Sequence, residues 1–192
     1  MLEGLRESSF SDERRTGQNV VYRVGCRRRK GRREVGRCER YSGAGRCEGN
    51  IIAVDRLFER FKLALDKPLI VHSRKAEKEC IELLENSRTK KVIMHCFCGA
   101  RKLVERIQRN GWFLSIPTNV TYSQQFQQMA KVLPLTMLFC ETDSPFLHPS
   151  KESNNEPALV LESYKTIALL KGLEIGEVAA AIARNYEKLF GK

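Results

Sequence analysis

Residues 136–145 read Thr-Met-Leu-Phe-Cys-Glu-Thr-Asp-Ser-Pro. The first part is a continuous apolar run, typical of a strand that is buried on both faces of a sheet. The run ends at Glu141 and Asp143, whose alternate spacing predicts that both carboxylates point to the same side. In α/β proteins the carboxyl ends of parallel strands carry the chemistry, because the loops there vary while the sheet stays rigid. The stretch therefore predicts a buried strand that ends at a functional site.

Two other apolar runs end in a histidine. They are residues 68–72 (PLIVH) and 91–95 (KVIMH), which end at His72 and His95. An imidazole at the end of a rigid strand is a good ligand for a divalent metal, because the strand fixes the direction of its nitrogen. Taken singly, each histidine could instead have a structural role, and Asp143 could instead cap a helix or form a hydrogen bond within its loop. Together, His72, His95 and Asp143 predict one metal site.

Strands and helices alternate along the chain. Strands are predicted to start near residues 68, 91, 112 and 136, with helices at 75–86, 100–110 and 123–132 between them and at 157–170 and 175–190 after them. A further helix is predicted at 52–66. Such βα units are right-handed and form a parallel sheet, which leaves an open doubly wound sheet or a segment of a (β/α)₈ barrel. No glycine-rich phosphate loop follows any strand, which disfavours a nucleotide-binding open sheet.

The composition restricts the partners and the compartment. A formal net charge of +11 favours a polyanionic partner such as nucleic acid. No apolar run approaches the roughly 18 residues of a membrane span, and the first residues lack the apolar core of a signal peptide. Seven cysteines without paired spacing favour reduced thiols. We therefore expect a cytoplasmic protein that has no membrane partner.

Residues 1–50 differ from the rest of the chain. They contain 12 Arg and one Lys, whereas residues 51–192 contain 8 Arg and 13 Lys. We expect an irregular, Arg-rich segment at 1–50 and one α/β domain at 51–192. The basic segment has three interpretations: an arm that binds nucleic acid, a disordered tail, or a stretch translated out of frame.

Several other side chains lie next to the predicted strand ends. Glu141 is expected to form a structural ion pair. Arg74 is expected to contact a substrate phosphate or to be solvated. Asn155 and Glu156 are expected to contact substrate, to contact the groups that support the metal ligands, or to begin a helix. Cys98 could act as a nucleophile with His95 as its base, although the surrounding residues favour metal chemistry.

Five motifs, taken together, resemble the TatD-like deoxyribonucleases of the metal-dependent amidohydrolase group. They are Val71-His72-Ser73-Arg74, His95-Cys96-Phe97-Cys98-Gly99, Glu141-Thr142-Asp143-Ser144-Pro145, Asn155-Glu156-Pro157 and the closing Asn185-Tyr186-Glu187-Lys188-Leu189-Phe190-Gly191. The resemblance covers about residues 50–192 and implies the C-terminal half of a TIM-like (β/α)₈ barrel.

The resemblance also implies a function and a site. His72, His95 and Asp143 would bind a divalent metal (Mg, Mn or Zn), and the substrate would be DNA. The reaction would be hydrolysis of a phosphodiester bond, with Asp143 as the catalytic residue that positions or deprotonates the attacking water. From their positions and chemistry, independently of the resemblance, we expect Arg74, Asn155 and Glu156 to bind substrate.

The chain also departs from the family pattern. The His-x-His pair of the family's first strand and its metal-bridging glutamate are absent, and residues 51–192 are too few for a barrel of about 250 residues. Cys98 stands where the family usually has serine. We therefore expect the chain alone to be inactive or much weakened. Two alternatives remain: a non-catalytic protein that binds nucleic acid through the basic segment, and an amidohydrolase of a small amide or ester.

Overall fold

The computed structural model describes residues 22–29, 32–37, 68–74, 76–151 and 154–191. Its strands are β1 (Tyr22–Arg29), β2 (Arg32–Arg37), β3 (Leu69–His72), β4 (Val92–His95), β5 (Phe113–Pro117) and β6 (Leu138–Glu141). They form one sheet with the order β2-β1-β3-β4-β5-β6. The β1–β2 pair is antiparallel and every other pair is parallel. The four predicted parallel strands are therefore confirmed, each paired with the next along the chain.

Five helices of the described part cover the sheet or pack on each other. They are α1 (Glu77–Ser87), α2 (Arg101–Arg109), α3 (Gln124–Val132), α4 (Val160–Lys171) and α5 (Ile175–Phe190). All five were predicted, with bounds that differ by at most three residues. Helix α4 ends where Gly172 takes a left-handed conformation (φ 64°), which glycine adopts without strain. The helix predicted at 52–66 lies outside the described residues.

The last strand starts later than predicted. Residues Leu135–Met137 form a 3₁₀ turn, and β6 begins only at Leu138. The cause is Asn185 on α5, which is buried and whose Nδ2 donates to the carbonyls of Leu135 at 2.9 Å and Leu138 at 2.8 Å. If the strand began earlier, these two carbonyls would need N–H donors from a neighbouring strand, whereas here Asn185 provides the donor.

The prediction that residues 1–50 are irregular was wrong for two ranges, which form the paired strands β1 and β2. The charge run at 27–33 was taken to exclude regular structure because it cannot bury a face. Residues 27–29 of β1 pair with β2 alone among the described strands, because β3 pairs with residues 22–25 of β1. Such a hairpin at the edge of a sheet needs only backbone pairing, and charged side chains are common there. The rest of this segment lies outside the described residues.

The core is built on β4 and β5, whose residues are all buried. Trp112 precedes β5, is 2% exposed, and donates from its indole nitrogen to the carbonyl of Thr89 at 2.9 Å. This bond ties the start of β5 to the segment that leads into β4. Among the helices described here, none combines the length and the apolar character needed to cross a bilayer.

Candidate metal centre

The parallel pairing of β3 and β4 places His72 directly beside His95. Their ring centroids are 5.5 Å apart, with 37° between the ring planes. Both residues are the last of their strands, so the two imidazoles lie together at the carboxyl end of the sheet. The structure thus brings together two of the three predicted ligands by strand register alone.

His95 is held between two carboxylates. It is 7% exposed, and its Nδ1 lies 2.5 Å from Oε2 of Glu141, an oxygen that also accepts a hydrogen bond from Ser115 Oγ at 2.6 Å. A carboxylate on one ring nitrogen fixes the orientation of the ring and leaves the other nitrogen to face a ligand. The ion pair predicted for Glu141 is present, and His95 is its partner.

The other ring nitrogen faces Asp143. His95 Nε2 and Asp143 Oδ1 are 3.3 Å apart. Asp143 lies beyond the end of β6, and its φ of 59° turns the chain out of the extended conformation. The direction of the Asp143 side chain therefore does not follow from the alternation of residues along a strand. The carboxylates of Glu141 and Asp143 nevertheless both contact the imidazole of His95, one at each nitrogen.

These donors suit a divalent metal. Two ligands of a tetrahedral ion with bonds of about 2.0–2.1 Å lie roughly 3.3–3.4 Å apart, which matches the separation of His95 Nε2 and Asp143 Oδ1. Oε1 of Glu141 is buried and has no hydrogen-bond partner among the described residues, so this carboxylate oxygen is also available to a metal ion. No three His, Cys, Asp or Glu side chains of the described ranges converge as a closed metal cage. The described residues therefore bring two of the three predicted ligands to a distance that suits one ion, with His72 beside them, and the metal site itself stays a prediction.

The protonation of His95 reflects these neighbours. Burial lowers its pKa, but hydrogen bonds with Asp143 and Glu141 outweigh burial and raise the pKa to about 9. A metal ion that binds Nε2 must displace this proton. Metal binding at this site is therefore expected to release protons and to strengthen as pH rises towards 9.

Cys96 and Cys98 lie in the loop that follows His95. The Cys98 thiol donates to the carbonyl of Cys96 at 3.4 Å. A hydrogen bond with the Cys96 thiol lowers the pKa of Cys98 to about 7 against the opposing effect of burial, and the nearby Arg74 cation acts in the same direction. Arg74 is exposed, so the structure places this predicted substrate contact at the mouth of the site. Its contact with a phosphate stays a prediction.

The lowered pKa predicts that Cys98 is selectively reactive. Its rate of alkylation by iodoacetamide is expected to rise with pH with a midpoint near 7, about tenfold faster at neutral pH than the rates of Cys80 and Cys140. Cys80 is buried, and burial raises the pKa of Cys140. Arg74→Gln should move the midpoint to higher pH, whereas Arg101→Gln should not. Peptide mass spectrometry measures each rate, and a midpoint near the ordinary value of about 8.5 would contradict the prediction.

Asn155 is buried and organises the loop after β6. Its Nδ2 lies within hydrogen-bonding distance of the carbonyls of Thr142 at 2.7 Å and Phe146 at 2.8 Å and of Thr118 Oγ1 at 2.7 Å. Because these acceptors occupy its amide, Asn155 acts on the site by holding the loop that carries Asp143. Glu156 is exposed beside it, with its N–H donating to Oδ1 of Asn155 at 3.0 Å. Substrate contacts of Asn155 and Glu156 stay predictions.

Ser115 and Thr118 are site residues that the sequence analysis did not identify. Ser115 donates to Glu141, and Thr118 connects Asn155 to the loop after β6. Both are buried polar residues in or just after the apolar strand β5. A hydroxyl in an otherwise apolar buried strand needs a partner, and that was the available signal.

The sequence is similar to that of known proteins. A family profile described as "TatD related DNase" matches residues 48–191. Human deoxyribonuclease TATDN3 is 40% identical over 138 residues, which are 71% of this chain and 50% of that protein. A metal-dependent hydrolase of Methanocaldococcus jannaschii is 34% identical over 139 residues, 71% of this chain and 55% of that protein. The chain spans about half the length of the curated relatives it matches.

Solved structures share the fold. The TatD homologue YjjV of Escherichia coli superposes with a TM-score of 0.65 at 24% identity and covers 72% of this chain and 55% of that one. A TatD family hydrolase of Entamoeba histolytica gives 0.64 at 18% identity, with 72% and 56% covered. These likenesses confirm the predicted partial TIM-like barrel. Because the family profile extends over residues 48–191, which include every side chain of the candidate metal centre, the chain belongs to the TatD-related DNase family.

Proposed function

We propose that this chain carries one half of a metal-dependent hydrolase that cleaves DNA phosphodiester bonds. The observation that carries the proposal is the convergence of His95 Nε2 and Asp143 Oδ1, 3.3 Å apart, at the carboxyl end of the parallel sheet. His72 lies beside them. Family membership and the similarity to the human deoxyribonuclease TATDN3 support DNA as the substrate.

Each side chain has a distinct role in this proposal. His72, His95 and Asp143 would hold a divalent ion, which polarises a phosphoryl oxygen and activates water when bound. Glu141 fixes the ring of His95 through Nδ1, so that Nε2 points at the ion. Asp143 positions the attacking water or takes its proton. Arg74 at the mouth of the site provides a cation for a substrate phosphate.

We further propose that the isolated chain holds at most about one metal ion and that its hydrolysis is weak, because its three ligands do not close a cage. Association with residues that complete the cage would restore activity. Mg, Mn and Zn all accept this mixture of imidazole and carboxylate. We place the protein in the cytoplasm, in agreement with seven cysteines whose spacing is not paired.

Metal titration combined with a cleavage assay tests the function. The chain is equilibrated with Mn²⁺ or Zn²⁺, the bound metal is counted, and cleavage of an end-labelled oligodeoxynucleotide is followed with and without chelator. Cleavage is expected to need metal and to fall at least about 100-fold in Asp143→Asn. Glu105→Gln, an exposed change on α2, is the matched control and should leave the rate unchanged.

Several results would contradict the proposal. Cleavage that persists in chelator, or that is equal in Asp143→Asn, would exclude this centre as the active site. About two metal ions per chain with rapid turnover would instead show that the chain is complete by itself. Turnover of small amides or esters with no cleavage of DNA would assign the same centre to an amidohydrolase.

A further inference from the structure

Phe146 is a large apolar side chain that lies in solvent beside the metal centre. It is 66% exposed, and its N–H donates to the carbonyl of Asp143 at 3.0 Å. The ring is therefore carried by the same turn as a proposed metal ligand. A single exposed apolar residue is ordinary on a protein surface, so its rigid support and its neighbours decide whether it has a role.

The loop that carries Phe146 is rigidly held. The carbonyl of Phe146 accepts a hydrogen bond from Asn155, that of Leu147 accepts one from Thr118 Oγ1 at 2.7 Å, and that of Pro149 accepts one from Thr121 Oγ1 at 2.6 Å. Leu147 has a left-handed backbone with φ of 61°, a conformation that persists only where its surroundings impose it. The backbone that carries Phe146 is thus held in place, which lowers the entropy that the loop loses when a ligand stacks on the ring.

A second aromatic ring lies on the loop after β5, which the hydroxyls of Thr118 and Thr121 join to the loop that carries Phe146. Tyr122 follows Thr121, is 37% exposed, and has Nζ of Lys151 4.2 Å from its ring centroid. Lys151 is exposed and lies two residues beyond Pro149, the acceptor of the Thr121 hydroxyl. An aromatic face and a cation are therefore fixed next to each other, on the loops that follow β5 and β6.

We propose that Phe146, Tyr122 and Lys151 form a stacking platform for the nucleotides of the substrate strand next to the metal centre. Aromatic rings bind unpaired bases of any sequence through their π faces, and a lysine next to them binds the connecting phosphate. Because the faces of bases inside a duplex are already covered by stacked neighbours, the platform takes single-stranded DNA or an unpaired end. This inference rests on the proposed function, in that it takes DNA as the ligand.

Binding measured without cleavage tests the platform. A fluorescent oligothymidylate is titrated with the full chain in chelator, and anisotropy gives Kd. Phe146→Ala is expected to weaken binding about 5- to 100-fold. Phe146→Leu, which keeps apolar bulk without a π face, should weaken it similarly, while Phe146→Trp should bind at least as tightly as the wild type. Lys151→Gln should reduce the slope of log Kd against log salt by about 0.7.

Tyr186→Leu is the matched control, because Tyr186 is an exposed aromatic residue on α5 that stacks on Phe190 away from the platform. The platform is overturned if Phe146→Ala and Phe146→Leu bind like the wild type, or if the wild type binds no single strand. It is also overturned if sedimentation shows a dimer that Phe146→Ala dissociates, since a second copy would then cover the ring. Phe146-dependent binding without metal-dependent cleavage would reject the proposed function and leave the platform standing.

Discussion

Replacing His95 by alanine is expected to lower the affinity for a divalent metal at least about 100-fold. The substitution removes Nε2, which faces Asp143 Oδ1 at 3.3 Å, and it removes the ring that Glu141 orients. Equilibrium dialysis against Zn²⁺ or Mn²⁺ measures the loss. Glu141→Gln keeps the ligand but weakens its orientation, and we expect a smaller loss of about 10- to 100-fold.

His148 provides the matched histidine for this experiment. It lies in the loop after β6, and its Nδ1 accepts hydrogen bonds from the N–H of Ser150 at 3.1 Å and from its hydroxyl group at 3.0 Å. His148→Ala should therefore leave the metal affinity unchanged. Equal affinities for the wild type and His95→Ala would show that the metal binds elsewhere, and the fluorescence of the single tryptophan would verify that both proteins are folded.

Replacing Trp112 by alanine is expected to lower the free energy of unfolding by about 3–5 kcal/mol. The side chain is almost fully buried, so its removal leaves a large cavity at the start of β5. It also leaves the carbonyl of Thr89 without its donor. Domains are stable by only about 5–15 kcal/mol, so this single change would remove much of the total. Urea denaturation followed by far-UV circular dichroism measures the effect.

Two further variants separate the contributions of Trp112. Trp112→Phe keeps a ring in the core but removes the indole N–H, and we expect a loss of about 1–3 kcal/mol that includes the unsatisfied carbonyl. Val132→Ala changes a side chain that is 58% exposed at the end of α3, and its effect should lie within about 0.5 kcal/mol. If Trp112→Ala unfolded at the same urea concentration as the wild type, the packing described around β5 would be incorrect.

The fold could be predicted from the sequence as far as periodicity reaches. The buried runs that end at His72, His95 and Glu141 set strands β3, β4 and β6, and the apolar spacing between them sets the helices. The start of β6 could not be predicted, because Asn185 acts from a helix far along the chain. The strand β2 and the second half of β1 were missed because they pair with each other at the edge of the sheet, where backbone pairing leaves no apolar pattern in the sequence.

The site was predictable where side chains sit on strands. His72 and His95 end neighbouring strands in register, so their proximity follows from the strand order. Beyond the ends of the strands, the direction of a side chain no longer follows from the alternation of residues along the sequence. The left-handed turn at Asp143 and the binding of Glu141 to His95 depend on contacts between separate loops and strands. The hydrogen bonds of Asn155 to backbone carbonyls of the loop after β6 could likewise be seen only in the folded loop.

The pairing of each strand from β3 to β6 with its successor has a consequence for the order of assembly. Every pairing closes a loop of a single strand–helix unit, so the entropy lost on closure is small at each step. We therefore expect these four strands to form one after another as the polypeptide leaves the ribosome. The two histidines would then come together before Asp143 is synthesised.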